Sequence, residues 1–167
     1  MKKKGFTLVE LIIVVTILGI LAAIVLPTFQ SNVAQAKESA AKSDLMAIRI
    51  QIEVYKLQHN GYPPGYVNGV GAPIATVSLQ LLGTTTVNGQ ASPNTVPADP
   101  FLYGPYLKSI PKNPFNNLST IAYVAEATAF SAAVDGTSSG WLYKKETAEL
   151  VMNWTGADSN GVNYYDY

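Results

Sequence analysis

Residues 2–27 read KKKGFTLVELIIVVTILGILAAIVLP, and they decide what kind of chain this is. Residues 6–26 form an apolar run of 21, interrupted only by Thr7, Glu10, Thr16 and Gly19. At 1.5 Å per residue a helix of that length measures about 31 Å, close to the ~30 Å hydrocarbon core of a bilayer. The MKKK ahead of it is a short positive flank of the kind that stays cytoplasmic. Glu10 is the anomaly. An acidic side chain at mid-membrane costs about 2.5–3.5 kcal/mol on insertion scales, less near the edge.

The remaining composition narrows the classes. The chain has 167 residues, one domain's worth with an appendage. It is 48% apolar and 13% charged, against the usual charged share of about 25%. Net charge is zero, but without Lys2, Lys3 and Lys4 eight basic residues face eleven acidic ones. Such a remainder offers no clustered basic face for nucleic acid. There is no cysteine, which removes thiol chemistry, disulfides and cysteine-based metal sites.

Three readings of the apolar run are open. A cleaved secretory signal needs a small-residue site after the run, yet Ala22-Ala23 sits inside it, followed by Ile-Val-Leu-Pro. A plain signal anchor leaves Gly5 and Glu10 unexplained. The third rests on Gly5-Phe6-Thr7-Leu8-Val9-Glu10, which closely resembles the class III signal of type IV pilins and type II secretion pseudopilins. The resemblance implies cleavage between Gly5 and Phe6 by a membrane aspartyl (prepilin) peptidase, N-methylation of Phe6, and retention of the helix. It also gives Glu10 a role in assembly: its carboxylate would pair with the Phe6 amine of a neighbouring subunit and set axial register, the best-attested use of a buried ion pair. The alternative is a glutamate that snorkels to the headgroups.

Pro27 would bend the helix where it leaves the bilayer, and Gly19 is a second weak point. Helical pattern resumes over 28–60 and stops at Asn60-Gly61 and Pro63-Pro64. Within it Leu45, Ile48, Ile52 and Tyr55 share one stripe; Met46, Ile50, Val54 and Leu57 share another, roughly 160° around the wheel. Arg49, Glu53 and Lys56 lie between them. A helix on a small sheet needs one stripe, so the second predicts subunit contact; a helix sunk in a larger core is the competing account.

Residues 61–117 are dominated by turn signals and read as an irregular connector, with a short helix at 78–82 and one turn at 105–109. Strand-like stretches follow at 120–125, 140–144 and 149–153, the last two joined as a hairpin through 145–148. The expectation is an α+β, pilin-like fold: leader 1–5, assembly helix 6–27, amphipathic helix 28–60, connector 61–117, and a small antiparallel sheet with its tail over 118–167. The phrase Tyr106-Leu-Lys-Ser-Ile-Pro-Lys-Asn-Pro-Phe115 resembles the YLKxLPxDPW segment of major pseudopilins, with Asn113 and Phe115 as departures. Gly156-Ala-Asp-Ser-Asn-Gly161 is similar to their GADGxxGG-like loop.

Other sites weigh less. Gly136-Thr-Ser138-Ser-Gly140 fits GxSxG, but a strand follows it and the only histidine, His59, lies upstream, so it reads as a turn. His59 reads as a partner of the helix C-terminus. Asp158, Asn160, Asn163 and Asp166 offer hard oxygens that suit Ca²⁺, and pseudopilins resembling this chain bind calcium in a C-terminal loop. Here the spacing is not an EF-hand, and a solvated turn is the alternative; no cofactor is required.

The resemblance thus implies a non-enzymatic filament subunit, single-pass in the bacterial inner membrane with its N-terminus cytoplasmic, then periplasmic or extracellular once polymerised. Its partners would be copies of itself, minor pseudopilins, and an inner-membrane platform with its ATPase. A secretion pseudopilus is favoured over a surface pilus for adhesion, twitching or DNA uptake. A membrane-anchored domain that never polymerises is the contrasting class.

Overall fold

The computed structural model describes residues 5–167, apart from the side chains of Pro27 and Thr28. The basic flank and most of the expected leader, residues 1–4, lie outside the described residues. The chain divides into two compact units, Met1–Lys37 and Glu38–Tyr167. Helix α1 (Leu8–Gln58) supplies the regular structure of the first and opens the second.

In the first unit the large apolar side chains from Phe6 to Phe29 are exposed, and an 18-residue window of α1 has mean hydropathy 3.0 with nothing buried. Such a surface is compatible with lipid and not with water. The helix is unbroken at Gly19 and Pro27. The bend expected at Pro27 falls on a residue whose side chain is outside the described ones.

In the second unit, α1 is followed by a short hairpin of β1 (Tyr66–Val67) and β2 (Val70–Gly71), helix α2 (Ile74–Leu82), and a second small pair, β3 (Thr84–Thr85) and β4 (Ala91–Ser92). Then come β5 (Ile121–Tyr123), the single-turn helix α3 (Phe130–Ala133), the hairpin β6 (Trp141–Lys144) and β7 (Glu149–Met152), and a 3₁₀ turn (Tyr164–Asp166). The β6–β7 hairpin is antiparallel, as expected, and Ala148 takes φ 60° in its turn. The expectation of a wholly antiparallel sheet is corrected at β5, which pairs parallel to β6 from Ile121↔Trp141 to Tyr123↔Tyr143. The connection over 124–140 explains this: it exceeds the dozen or so residues that a parallel return requires, and it carries α3 across the sheet.

Alternation along the strands divides the core. Trp141, Tyr143, Leu150 and Met152 join Leu45, Ile48 and Ile52 of α1 and Val77 and Leu81 of α2. Leu142, Val151 and Val124 form a second cluster with Phe130, Ala133 and Tyr165. The first helical stripe is therefore consumed by the fold, with Ile48 and Tyr55 fully buried.

The connector is more ordered than its turn signals suggest. α2 begins four residues earlier than read, because burial of Val77 and Leu81 overrides the weak helix propensity of Ile74, Thr76 and Val77. Buried Gln80 staples the surrounding loops, accepting from Gly65 N–H (2.7 Å) and donating to the carbonyls of Tyr66 (2.9 Å) and Gly89 (2.7 Å). The turn expected at 105–109 is absent: Tyr106 and Leu107 both donate their N–H to the Leu81 carbonyl, which holds the backbone extended against the end of α2.

α1 ends as the sequence implied. Gly61 N–H reaches back to the Lys56 carbonyl (2.9 Å), with Asn60 at φ 55° and Gly61 at φ 84°. One residue past the helix, buried His59 donates from Nδ1 to the Tyr55 carbonyl (2.7 Å), accepts at Nε2 from Thr85 (2.9 Å), and stacks on the Tyr55 ring at 3.7 Å. It is the C-terminal partner that was expected. Burial lowers its pKa from the ordinary value.

The folded value thus lies below the unfolded one of about 6.5, so the unfolded chain takes the proton first. Stability is complete above pH ~6.5 and declines as pH falls toward the folded value. Urea unfolding of the chain in detergent at pH ~7 and pH ~5.5 should show this loss, and His59→Gln should abolish it. A slope that survives the substitution would assign the effect to other groups.

Candidate functional site

The first element of the site is local. Thr7 is the N-cap of α1: its carbonyl accepts the first helical bond, from Leu11 (3.2 Å). Its hydroxyl accepts from Glu10 N–H at 3.2 Å, while Glu10 Oε2 accepts from both the N–H (2.9 Å) and the hydroxyl (2.7 Å) of Thr7. This is a capping box, with the carboxylate at the positive end of the helix dipole. The Glu10 carboxylate thus accepts one main-chain N–H and one hydroxyl, both of Thr7. Sequence reasoning missed this, although Thr7-x-x-Glu10 ahead of an apolar run is its signature. Gly5 and Phe6 are exposed ahead of the cap.

The second element is the other stripe of α1. Met46, Ile50 and Leu57 are 64%, 53% and 85% exposed, and Val54 is half-buried. These values reject the account of a helix sunk in a larger core. They border a groove of 490 Å³ that is also lined by Leu45, Arg49 and Tyr167.

The third element lies on the strip between the stripes. At 100° per residue, positions 38, 42 and 49 fall within an arc of about 40°. Glu38 holds Lys42 (2.7 Å) and accepts Ser159 N–H (3.4 Å). Lys42 lies 3.3 Å from Asp158 Oδ2 and 4.0 Å over the Tyr167 ring. Arg49 donates to the Leu150 carbonyl (2.8 Å) and to the main-chain oxygen of Tyr167. The aromatic tail is thus a docked tail.

Of the four oxygen-bearing residues, Asp158 is buried. Its Oδ1 accepts the N–H groups of Asn160 and Val162, both at 2.8 Å, and its Oδ2 accepts the Tyr167 hydroxyl. These donors, the Tyr167 hydroxyl first, hold its carboxyl well below the usual range. The amide of Asn160 approaches Asp158 at 3.5 Å, and Asn163 donates to Asp166 at 2.8 Å. Among the described residues, no three acidic or histidine side chains gather as a metal group.

Ser138 takes its place in a turn. Asp135 Oδ1 accepts the N–H groups of Thr137 and Ser138, and its pKa is lowered by them. Fully buried Asn153 ties this turn to the sheet through Asp135 (2.8 Å) and the Ser139 carbonyl (3.0 Å). His59, occupied by Tyr55 and Thr85, is not a partner of Ser138.

The departures in the 106–115 segment are accommodated. The Asn113 amide donates to the Gly140 carbonyl (2.9 Å), a bond that a carboxylate could not make. Phe115 stacks on Trp154 at 5.4 Å. Gly140 must stay glycine, because a Cβ there would lie 2.1 Å from the Leu118 carbonyl oxygen.

Residues 1–26 match the family model described as the prokaryotic N-terminal methylation motif. The type II secretion system core protein G of Dickeya chrysanthemi is 30% identical over 97% of this chain and 95% of its own. That of Pseudomonas aeruginosa is 33% identical over 83% of this chain and 89% of its own. The type IV major pilin protein PilE1 of Neisseria gonorrhoeae is 36% identical, over 51% of this chain and 40% of its own. No solved structure matches the chain.

The two stripes should separate folding from association. Ile50→Glu alters an exposed position and should change unfolding free energy by no more than about 0.5 kcal/mol while abolishing cross-linked ladders of the chain in membranes. Ile52→Glu, which places a charge in the core, should unfold the domain.

Proposed function

The chain belongs to the family of type II secretion system core protein G, and on that premise we propose that it is a structural subunit of a secretion pseudopilus, a helical polymer of its own copies that moves proteins outward. One observation carries the reading. Met46, Ile50 and Leu57 are uncovered and lie 20 or more residues past Leu26, beyond the apolar run that a bilayer of ~30 Å would cover. Lipid can shield residues 6–26, but the later stripe needs protein, and a repeating copy of the same helix supplies it.

Prepilin peptidase would cut before Phe6 and free an amine one turn from Glu10. The subunit would wait in the inner membrane with its N-terminus cytoplasmic and Glu10 in its own capping box. An assembly platform with its ATPase, and minor pseudopilins, would draw it into the filament. There the Phe6 amine of one copy and Glu10 of another would meet, adding a charge pair to an already capped carboxylate. The polymer would occupy the periplasm. Its work is mechanical and needs no active site, which is consistent with Ser138 serving a turn.

Full-length similarity to secretion proteins, against a half-length match to a pilin, favours the pseudopilus over a surface pilus. Deleting the chromosomal copy should then block protein export and leave twitching and DNA uptake intact.

Mass spectrometry of the mature N-terminus should find N-methylated Phe6; a start at any other residue would remove the proposed class. Glu10→Ala should still be processed yet fail to polymerise when membranes are sheared and pelleted. Normal polymer from that variant would leave a membrane-anchored monomer as the better account.

A further inference from the structure

The family resemblance implies calcium in the C-terminal loop, and the residues present do not fit it. Ca²⁺ takes six to eight oxygens at about 2.3–2.6 Å. Asp158 is the buried carboxylate of this loop, and both its oxygens already accept hydrogen bonds, from two main-chain N–H groups and from the Tyr167 hydroxyl. A cation is also in place: Lys42 Nζ, 3.3 Å from Asp158 Oδ2. A divalent ion at that carboxylate would meet the ammonium charge and would have to displace these donors. Asp166, the other acidic candidate, is exposed and takes the Asn163 amide.

We propose that Lys42 of α1 does in this chain what a divalent cation does in the proteins it resembles: it neutralises Asp158 and fixes residues 158–167 against α1, so that the subunit has no calcium requirement. Three contacts converge on the Lys42 ammonium, from the Glu38 carboxylate (2.7 Å), the Asp158 carboxylate (3.3 Å) and the Tyr167 ring (4.0 Å). The Tyr167 hydroxyl closes the circle by donating to the same Asp158 oxygen. Carboxylates and π-face together give the half-exposed ammonium a cradle of opposite potential. Lys42 is held protonated, chiefly by Glu38, so its charge persists through the neutral range. Arg49, by gripping the main-chain oxygen of Tyr167, keeps the ring in place for Lys42.

The test is thermal unfolding of the full chain in detergent micelles, followed by circular dichroism, in excess calcium chloride and in excess EGTA. The unaltered chain should melt at the same temperature in both. Lys42→Ala should melt about 3 °C or more lower in EGTA, the size of shift expected when one charged contact is lost from a chain of this length, and Lys42→Arg should recover most of the loss. A calcium-dependent rise in the midpoint of the unaltered chain would overturn the proposal, as would a Lys42→Ala midpoint equal to the parent's in EGTA. Should Lys42→Ala fail to fold, the calcium comparison on the unaltered chain and on Lys42→Arg still decides.

Discussion

A helix that begins inside a bilayer has a problem at its first turn. Its leading N–H groups have no intrahelical partner, and hydrocarbon offers none. Thr7 and Glu10 solve this locally, since the carboxylate accepts from Thr7 while the Thr7 hydroxyl accepts from Glu10. The acidic residue that looks like a cost in the apolar run therefore offsets one. Beyond it α1 keeps a largely apolar surface as far as Leu26. Everything proposed for the chain, from membrane storage to polymer, needs that helix to start cleanly at one place.

The same helix is divided by what it can bury. A sheet of three short strands covers one face, and Leu45, Ile48 and Ile52 fill it. The opposite face keeps Met46, Ile50 and Leu57 uncovered. Between them runs a narrow polar strip whose Glu38, Lys42 and Arg49 hold the tail. Packing and docking thus each use a different face of α1, and the third face stays uncovered.

Much of this was legible in the sequence because it depends on periodicity and local chemistry. The apolar run, the two stripes, the Asn60-Gly61 stop and the β6–β7 hairpin are all short-range patterns. The parallel partner β5 was not, since strand direction is set by where a long connection lands, not by its residues. The connector's two-residue strands carry no period to detect, and Gln80 staples loops on both sides of it. Within the site, Gly5, Phe6 and Glu10 were marked by motif, whereas Lys42 meets Asp158 across 116 positions and had no sequence signal. Asp158, Asn160, Asn163 and Asp166 looked alike as oxygen donors; only the fold separates the buried carboxylate from the exposed one.

The docking of Tyr167 has a consequence for synthesis. Arg49 and Lys42 emerge early, and their partners at Leu150, Asp158 and Tyr167 follow more than a hundred residues later. Synthesis runs from the N-terminus, so that strip of α1 stays without these partners until the last strand and loop have been made. The unit of residues 38–167 can close only once its C-terminal residues are in place. A chain cut short before residue 158 would lack the contacts that Asp158 and Tyr167 make with Lys42 and Arg49.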